Sequence, residues 1–294
     1  MESISRINWI AENLRIINKR GELVYLIPNE GQLMLANSLE LQRERGLPVR
    51  ILLLKPRQVG WSTWTGAENF FDAYFNANKT ALTTSADSDA TNAIFKMVRL
   101  FYAELSKGIK RPTDASNRRE LVFSAPHRSR IISQTAGKDV LGRGDTIHYL
   151  HLSEVAFWQQ DVVQLAGILQ MIPYEPGTSV VLETTANGLG GQFYDMFWQA
   201  VDRRRSNPND YSGYLPVFFP WYKFCDYKLP VPEGFSVTAD ERSYAEEFKL
   251  TSGQIYFRRK KIEELGGDES LFAQEYPATP NDAFRAAGNP VFTN

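Results

Sequence analysis

A segment of nine residues between a predicted strand and a predicted helix carries the residue types that bind phosphate. It reads Lys55-Pro56-Arg57-Gln58-Val59-Gly60-Trp61-Ser62-Thr63 and follows the apolar run at residues 49–54. In such a loop, backbone N–H groups and the helix N-terminus bind phosphate oxygens, a hydroxyl holds Mg²⁺, and one ammonium group neutralises the phosphates. The segment therefore predicts a nucleotide site that takes ATP and Mg²⁺.

The loop departs from the usual G-x-x-x-x-G-K-[ST] pattern, because Lys55 stands at the first glycine position and Trp61 at the lysine position. A lysine at the start of the loop could fold over to the same phosphate oxygens, since they need one ammonium group nearby. We expect Lys55 to bind phosphate and Gly60 to allow close backbone approach. Ser62 is the expected Mg²⁺ hydroxyl, with Thr63 as the alternative. The other interpretation is an ordinary strand-to-helix turn with a surface lysine.

A second candidate lies where the predicted strand at residues 147–152 ends in Ser153 and Glu154. NTPases carry a metal-supporting Asp at such a strand end, followed by an acid that activates water. Glu154 is placed to orient or deprotonate the attacking water. Ser153 occupies the Asp position and could hold a metal-bound water by hydrogen bonding, without charge. The alternative for Glu154 is an acid that stabilises a helix N-terminus.

A third candidate follows the apolar strand at residues 179–184, which ends in small polar residues. Thr185 and Asn187 are placed to sense the γ-phosphate and to couple hydrolysis to movement. The alternative is a turn that is rich in Asn and Gly.

The elements that must position these residues alternate along the chain. Strands are predicted at residues 49–54, 79–85, 121–124, 130–134, 147–152 and 179–184, and helices at 62–75, 87–105 and 161–171. This alternation is typical of an α/β fold with a parallel sheet. The stretch 206–236 contains five prolines and breaks the rhythm, so the core is expected to end near it. Residues 239–265 predict two amphipathic helices, and 266–294 a loop-like tail.

Composition limits the remaining classes of protein. The chain has 294 residues, 43% of them hydrophobic and 23% charged, which suffices for a substantial core. No apolar run reaches the ~18 residues of a membrane span. A single cysteine, Cys225, excludes a disulfide framework and favours a reducing compartment. The net charge of −1 argues against a broad basic surface, although residues 203–205 and 258–261 form basic runs.

In order and spacing, these motifs resemble those of the large terminase subunit of tailed bacteriophages. Residues 28–32 resemble its adenine-reading segment, with Asn29 and Gln32 as amide donors and acceptors. Residues 56–60 resemble its P-R-Q-x-G loop, 142–144 its R-G element, and 184–188 its coupling motif. Residues 274–284 resemble the Q-E-(Y/F)-P signature that follows its lid.

The resemblance implies a P-loop NTPase with a mainly parallel central sheet flanked by helices, plus a small helical lid subdomain. We expect the ATPase core at residues 1–215 and the linker and lid at 216–294, with a nuclease domain beyond this chain. It also implies a motor that drives double-stranded DNA into a procapsid in the host cell cytoplasm, without a membrane. Its partners would be the portal protein and the small terminase subunit, and it would work as a homo-oligomeric ring.

Two arginines compete for the role of stabilising transition-state charge on the γ-phosphate. Arg57 lies in the phosphate loop and would act within its own subunit. Arg143 lies between two glycines before the acidic strand and, in a ring, would reach the neighbour's site. We expect Arg143 to act across the subunit border, and a loop arginine paired with Asp139 or Asp145 is the alternative.

Two other functions compete with the packaging motor. A helicase-type translocase shares the amide-rich segment and the acidic strand, but it needs a second motor domain that 294 residues do not contain. A non-hydrolysing nucleotide-binding scaffold is suggested by the replacements at Trp61 and Ser153. An ATPase assay with and without Mg²⁺ separates the scaffold from the motor.

Overall fold

The computed structural model describes residues 5–136, 146–158 and 161–287. Within these ranges the strands are β1 (Arg15–Ile17), β2 (Leu23–Tyr25), β3 (Val49–Leu54), β4 (Thr80–Ser85), β5 (Thr113–Ser116), β6 (Glu120–Phe123), β7 (Arg130–Thr135), β8 (Tyr149–Ser153), β9 (Ser179–Thr184) and β10 (Leu215–Phe218). The α-helices are α1 (Arg6–Asn13), α2 (Glu30–Arg43), α3 (Trp61–Phe75), α4 (Ser88–Glu104), α5 (Asp161–Leu169), α6 (Gln192–Ser206), α7 (Ala239–Phe248), α8 (Ser252–Glu264), α9 (Glu269–Glu275) and α10 (Pro280–Ala287).

Eight of the strands form one sheet in the order β10-β3-β9-β8-β4-β7-β6-β5, and β1 pairs with β2 in a separate hairpin. The pairs from β10 to β7 are parallel, and those of β7 with β6 and of β6 with β5 are antiparallel. Strand β9 therefore lies between β3, which precedes the phosphate loop, and β8, which precedes Glu154. This arrangement confirms the predicted α/β fold with a mainly parallel sheet.

The sheet is covered on both faces, as the continuous apolar runs predict. Every residue of β3, β4 and β9 is buried. Ile51 and Leu53 pack toward α3 and α4, whereas Leu52 and Leu54 pack toward α5 and α6. Successive residues of a strand face opposite sides of the sheet, so one strand supplies both cores.

Strand β10 was not predicted, because Pro216 lies within it and proline donates no ladder hydrogen bond. The strand is at the edge of the sheet, where proline is tolerated, and Leu215 and Val217 are buried. The expected boundary at residue 215 falls at the start of this strand. The division into core and lid stays a prediction.

The expectation of a loop-like tail after residue 266 is wrong, because residues 269–275 and 280–287 form α9 and α10. Both helices are short and depend on tertiary contacts. The ring centroid of Phe272 lies 5.5 Å from that of Trp221, and that of Phe284 lies 4.9 Å from that of Tyr194. The tail thus packs on both cores of the molecule.

Among the described residues, no helix is both long and apolar enough to cross a membrane. The two basic runs are largely paired in this structure. Arg258, Arg259, Lys260 and Lys261 each form an ion pair with a glutamate, and Arg203 and Arg205 pair with aspartates.

Candidate active site

Three of the predicted site residues, Lys55, Ser62 and Glu154, meet at the carboxyl ends of β3, β9 and β8, which are neighbours in the sheet. Lys55 follows β3, and its Nζ lies 3.3 Å from Oε1 of Glu154 and 3.3 Å from Oε1 of Glu183. Its Nζ also donates to Ser62 Oγ at 3.4 Å. Ligands of parallel α/β sheets bind outside this edge.

Lys55 is buried, which contradicts the alternative of a surface lysine. Burial alone would lower the pKa of Lys55, but the carboxylates of Glu183 and Glu154 outweigh burial and raise it. The side chain is therefore held beside these two carboxylates, and its predicted role in binding phosphate stays a prediction.

Glu183 was missed by the sequence analysis, although it is fully buried at the centre of the site. Its Oε1 accepts a hydrogen bond from the hydroxyl of Ser62 and lies 3.0 Å from His151 Nε2. Burial alone would raise the pKa of Glu183, but Lys55 and His151 lower it well below its usual range. The available signal was a single acid within the otherwise apolar strand β9.

Glu154 is held in a left-handed backbone conformation, with φ of 55° and ψ of 40°. Residues other than glycine adopt it rarely, and such strain is concentrated at functional sites. The side chain is one-third exposed (33%), so that it is accessible to water beside the buried Lys55. This geometry suits the predicted role in orienting water.

Ser62 is the hydroxyl that faces the charged groups. Thr63 instead donates its hydroxyl to Met97 Sδ at 3.2 Å. This geometry favours Ser62, whose role as the Mg²⁺ hydroxyl stays a prediction. The side chain of Trp61 is buried in the core, with its ring centroid 5.9 Å from that of Phe219. Trp61 therefore offers the site its backbone amide, since the first turn of a helix leaves N–H groups without intrahelical acceptors.

Asn29 and Gln32, at the start of α2, donate hydrogen bonds to the backbone of the predicted phosphate loop. Asn29 Nδ2 donates to the carbonyl of Val59 at 3.1 Å, and Gln32 Nε2 donates to that of Gly60 at 2.8 Å. Their side-chain oxygens form a capping box at the start of α2. Both amides are thus committed to backbone groups in this structure, and their role in reading adenine stays a prediction.

The backbone conformation of Gly60 is one that favours glycine. Its φ of +76° lies in the left-handed region, and a Cβ there would lie 2.8 Å from Gln32 Nε2. Gln58, with φ of 55°, shares the strained geometry of the loop. The loop therefore contains unfavourable backbone conformations, which the hydrogen bonds from Asn29 and Gln32 hold in place.

Arg57 points toward α9 rather than toward Lys55. Its guanidinium forms an ion pair with Glu275, and its backbone N–H donates to the Glu275 carbonyl at 3.1 Å. The hydroxyl of Tyr227 donates to the Arg57 carbonyl. Arg143 lies outside the described residues, so the predicted choice between the two arginines stays open.

The segment after β9 contacts the turn after Glu154. Asn187 Nδ2 donates to the carbonyl of Ala156 at 2.9 Å, and the amide of Ala156 donates to Thr184 Oγ1 at 3.3 Å. Thr185 is buried and lines the same cavity as Lys55. Ser153 is buried next to Glu183 in the sheet register. These contacts link the predicted coupling residues to the acidic strand end.

Two cavities open at the site. One of about 500 Å³ is lined by Lys55, Arg57, Gln58, Ala86, Asp87, Glu154, Phe157 and Thr185. The other, of about 390 Å³, adjoins the first turn of α3 and is lined by Ser62, Ser153 and Glu154 among others. Within the described part of the chain, no group of three or more His, Cys, Asp or Glu side chains could hold a metal. A cation here would depend on Ser62 and on phosphate oxygens.

A third cavity, of about 420 Å³, lies at the opposite end of the sheet, beside Val49 and Ser179. Three of its charged lining residues form an ion network. Arg6 Nη1 lies 2.8 Å from Asp72 Oδ1, and Arg43 also pairs with Asp72. This cavity therefore adjoins the amino ends of β3 and β9, opposite the edge where ligands of parallel α/β sheets bind.

The predicted phosphate loop after β3, the acidic end of β8 and the strand between them lie at the carboxyl edge of a mainly parallel α/β sheet. No family model matches the sequence, and no curated protein matches it. The structure is similar to that of the HK97 bacteriophage large terminase, with a TM-score of 0.63 and 10% identity over 93% of this chain and 54% of that one. It is also similar to the large terminase ATPase domain of Thermus phage P74-26, with a TM-score of 0.52 and 17% identity over 82% of this chain and 92% of that one.

The fold of this chain is therefore that of phage large terminase ATPase domains. The chain spans about half the length of the HK97 protein.

Proposed function

We propose that this chain is the ATPase motor of a phage DNA-packaging terminase, which hydrolyses ATP to translocate double-stranded DNA. The observation that carries the proposal is the convergence of Lys55, Ser62 and Glu154 at the carboxyl ends of neighbouring strands. The fold shared with large terminases supports the motor role.

The described residues fit ATP and Mg²⁺. The phosphate loop and the first turn of α3 offer backbone N–H groups to phosphate oxygens, and Lys55 offers the ammonium group. Ser62 would hold Mg²⁺, which would neutralise phosphate charge when bound. Buried Glu183 Oε2 has no hydrogen-bond partner among the described residues, as expected beside a site that takes a polar ligand.

Lys55 and Glu154 contact each other in this structure, so phosphate oxygens would compete with Glu154 for the ammonium group. A released Glu154 is free to accept a proton from water or to orient it. The left-handed backbone at Glu154 keeps the side chain at the mouth of the cavity. Binding of nucleotide and readiness for hydrolysis are thereby linked.

The segment after β9 would transmit the state of the site. Thr185 lines the cavity, and Asn187 bonds to the turn that begins at Glu154. A shift of Glu154 would move this turn and Asn187 together. Arg57 would tie the phosphate loop to the helical lid through Glu275, and Arg143 would act at the neighbour's site.

The proposal extends to the domain division, the assembly, the partners and the location of the motor. Residues 1–215 would form the core and 216–294 the lid, and subunits would assemble as a ring with the portal protein and the small terminase subunit. The work would take place in the host cell cytoplasm.

The test is hydrolysis of ATP by the purified chain with Mg²⁺, compared with EDTA. Each condition is measured without DNA, with double-stranded DNA and with single-stranded DNA. We expect Mg²⁺-dependent turnover that Glu154→Gln removes. Binding without turnover would support the non-hydrolysing scaffold instead. Stimulation by single-stranded DNA alone would support a helicase-type translocase.

A further inference from the structure

Ser153 and Glu183 are direct partners in the parallel ladder between β8 and β9. Residues in register on neighbouring strands face the same side of the sheet, and this side is the one that α3 covers. Position 153 is where an NTPase of this type carries its metal-supporting Asp. A carboxylate is therefore present at the same level of the sheet, one strand away from the position that lacks it.

The contacts of Glu183 are those that a metal-supporting acid needs. Its Oε1 accepts the hydrogen bond of the Ser62 hydroxyl, and Lys55 Nζ lies 3.3 Å from the same oxygen. Its Oε2 is buried without a hydrogen-bond partner among the described residues. A buried charged oxygen is costly to leave unpaired, so this atom is suited to a ligand such as a metal-bound water.

We propose that Glu183 supplies the metal-supporting carboxylate that Ser153 lacks, and that it positions Ser62 for Mg²⁺. This inference rests on the proposed nucleotide site. With the Ser62 proton directed to Glu183, the lone pairs of the hydroxyl are directed away from the carboxylate and toward a cation. Glu183 is a positioning residue, and in this chain the carboxylate lies on β9 instead of β8.

A purely structural role of Glu183 predicts a different effect of its substitution. Glu183 would then only neutralise Lys55 and bond to His151, and its loss would weaken nucleotide binding regardless of metal. The metal-supporting role predicts a loss confined to the contribution of Mg²⁺. The dependence of nucleotide binding on Mg²⁺ therefore separates the two, without any measurement of turnover.

The experiment measures binding of a fluorescent ADP analogue to the whole chain in EDTA and across a Mg²⁺ titration. Removal of a residue that orients a metal ligand typically lowers metal affinity by about 10–100-fold, and we expect this loss in Glu183→Gln. Affinity in EDTA should be kept or should rise, because Lys55 loses a competing carboxylate. The double variant Ser153→Asp/Glu183→Gln should recover the Mg²⁺ dependence, since it returns the acid to β8.

Thermal unfolding of each variant serves as the folding control. If Glu183→Gln does not fold, the double variant carries the test, and it must bind with Mg²⁺ dependence like that of the wild type. An unchanged Mg²⁺ titration in Glu183→Gln would overturn the role of Glu183 and leave the proposed function intact, as would an equal loss with and without metal. A wild-type chain that binds no nucleotide would overturn both.

Discussion

Lys55 Nζ and Glu154 Oε1 lie 3.3 Å apart, although the two residues follow different strands and are almost one hundred positions apart in the chain. The cation expected to bind phosphate and the acid expected to activate water therefore neutralise each other in this structure. In the proposed mechanism, bound nucleotide would separate them. This relationship makes each residue testable through the other.

Lys55→Ala should remove nucleotide binding and also destabilise the fold. The substitution leaves the buried carboxylate of Glu183 without its main cation, and breaking a buried ion pair typically costs about 3–5 kcal/mol. Urea unfolding measures the loss of free energy, and a fluorescent nucleotide measures binding. Lys55→Ala/Glu183→Gln should regain part of the stability and none of the binding. If Lys55→Ala binds nucleotide with wild-type affinity, Lys55 does not contribute to the nucleotide site.

Glu154→Gln should bind ATP at least as tightly as the wild type and lose turnover. The amide keeps the shape of the side chain but accepts no proton, and general bases contribute about 10²–10⁴-fold in rate. Single-turnover hydrolysis measures the effect. Glu175→Gln, at an exposed glutamate away from the site, is the matched control and should be unchanged. Near-normal hydrolysis in Glu154→Gln would place the base elsewhere.

Gln32→Ala should weaken both the fold and the nucleotide site. The side chain closes the capping box of α2 and donates to the Gly60 carbonyl at 2.8 Å. Loss of a hydrogen bond typically costs about 0.5–1.5 kcal/mol, and the substitution removes one bond to the start of α2 and one to the loop. We expect a lower melting temperature and a higher Kd for nucleotide.

Gln254 provides a matched control, because it closes the capping box of α8 and donates to a backbone carbonyl, that of Tyr222, at 2.7 Å. Gln254→Ala should lower stability by a similar amount and leave nucleotide affinity unchanged. Equal effects of the two variants on affinity would show that Gln32 has no specific role at the loop.

Arg57→Ala and Glu275→Ala should have matching effects, since each removes the same ion pair between the phosphate loop and α9. We expect a modest fall in turnover, well below the roughly 10³–10⁵-fold attributed to an arginine finger. Steady-state hydrolysis by the two single variants and the double variant measures this. If turnover falls by roughly 10³–10⁵-fold in Arg57→Ala but not in Glu275→Ala, Arg57 is the arginine finger.

Arg143 is tested by mixing subunits under conditions that assemble the ring. Arg143→Ala keeps Glu154 but donates no arginine, whereas Glu154→Gln donates an arginine but does not hydrolyse. Each should be inactive alone, and the mixture should recover activity at borders that pair the intact residues. A mixture as inactive as its components, in assembled rings, would show that Arg143 does not act across the border.

Local sequence was enough for the strands β3, β4 and β6 to β9, for the helices α3 to α5, and for candidate residues of the site. It left α1, α2, α6 and β5 unpredicted. The apolar run of β3 and the helical spacing of α3 placed the phosphate loop between them, because strand and helix periodicities are local properties. The same pattern identified Lys55, Ser62 and Glu154. It failed at β10 and at the tail, where an edge position and packing against Trp221 and Phe197 decide the structure.

Tertiary structure alone decided which side chains meet. Strand order brings β9 between β3 and β8, and no local pattern reports the order of strands in a sheet. Only the tertiary structure therefore shows that Glu183 contacts Ser62 and is in register with Ser153. The same reason applies to Arg57 and Glu275, whose ion pair joins positions that are distant in sequence. Residue type and local spacing determined the candidate chemistry, whereas the long-range register of the strands determined which groups can act together.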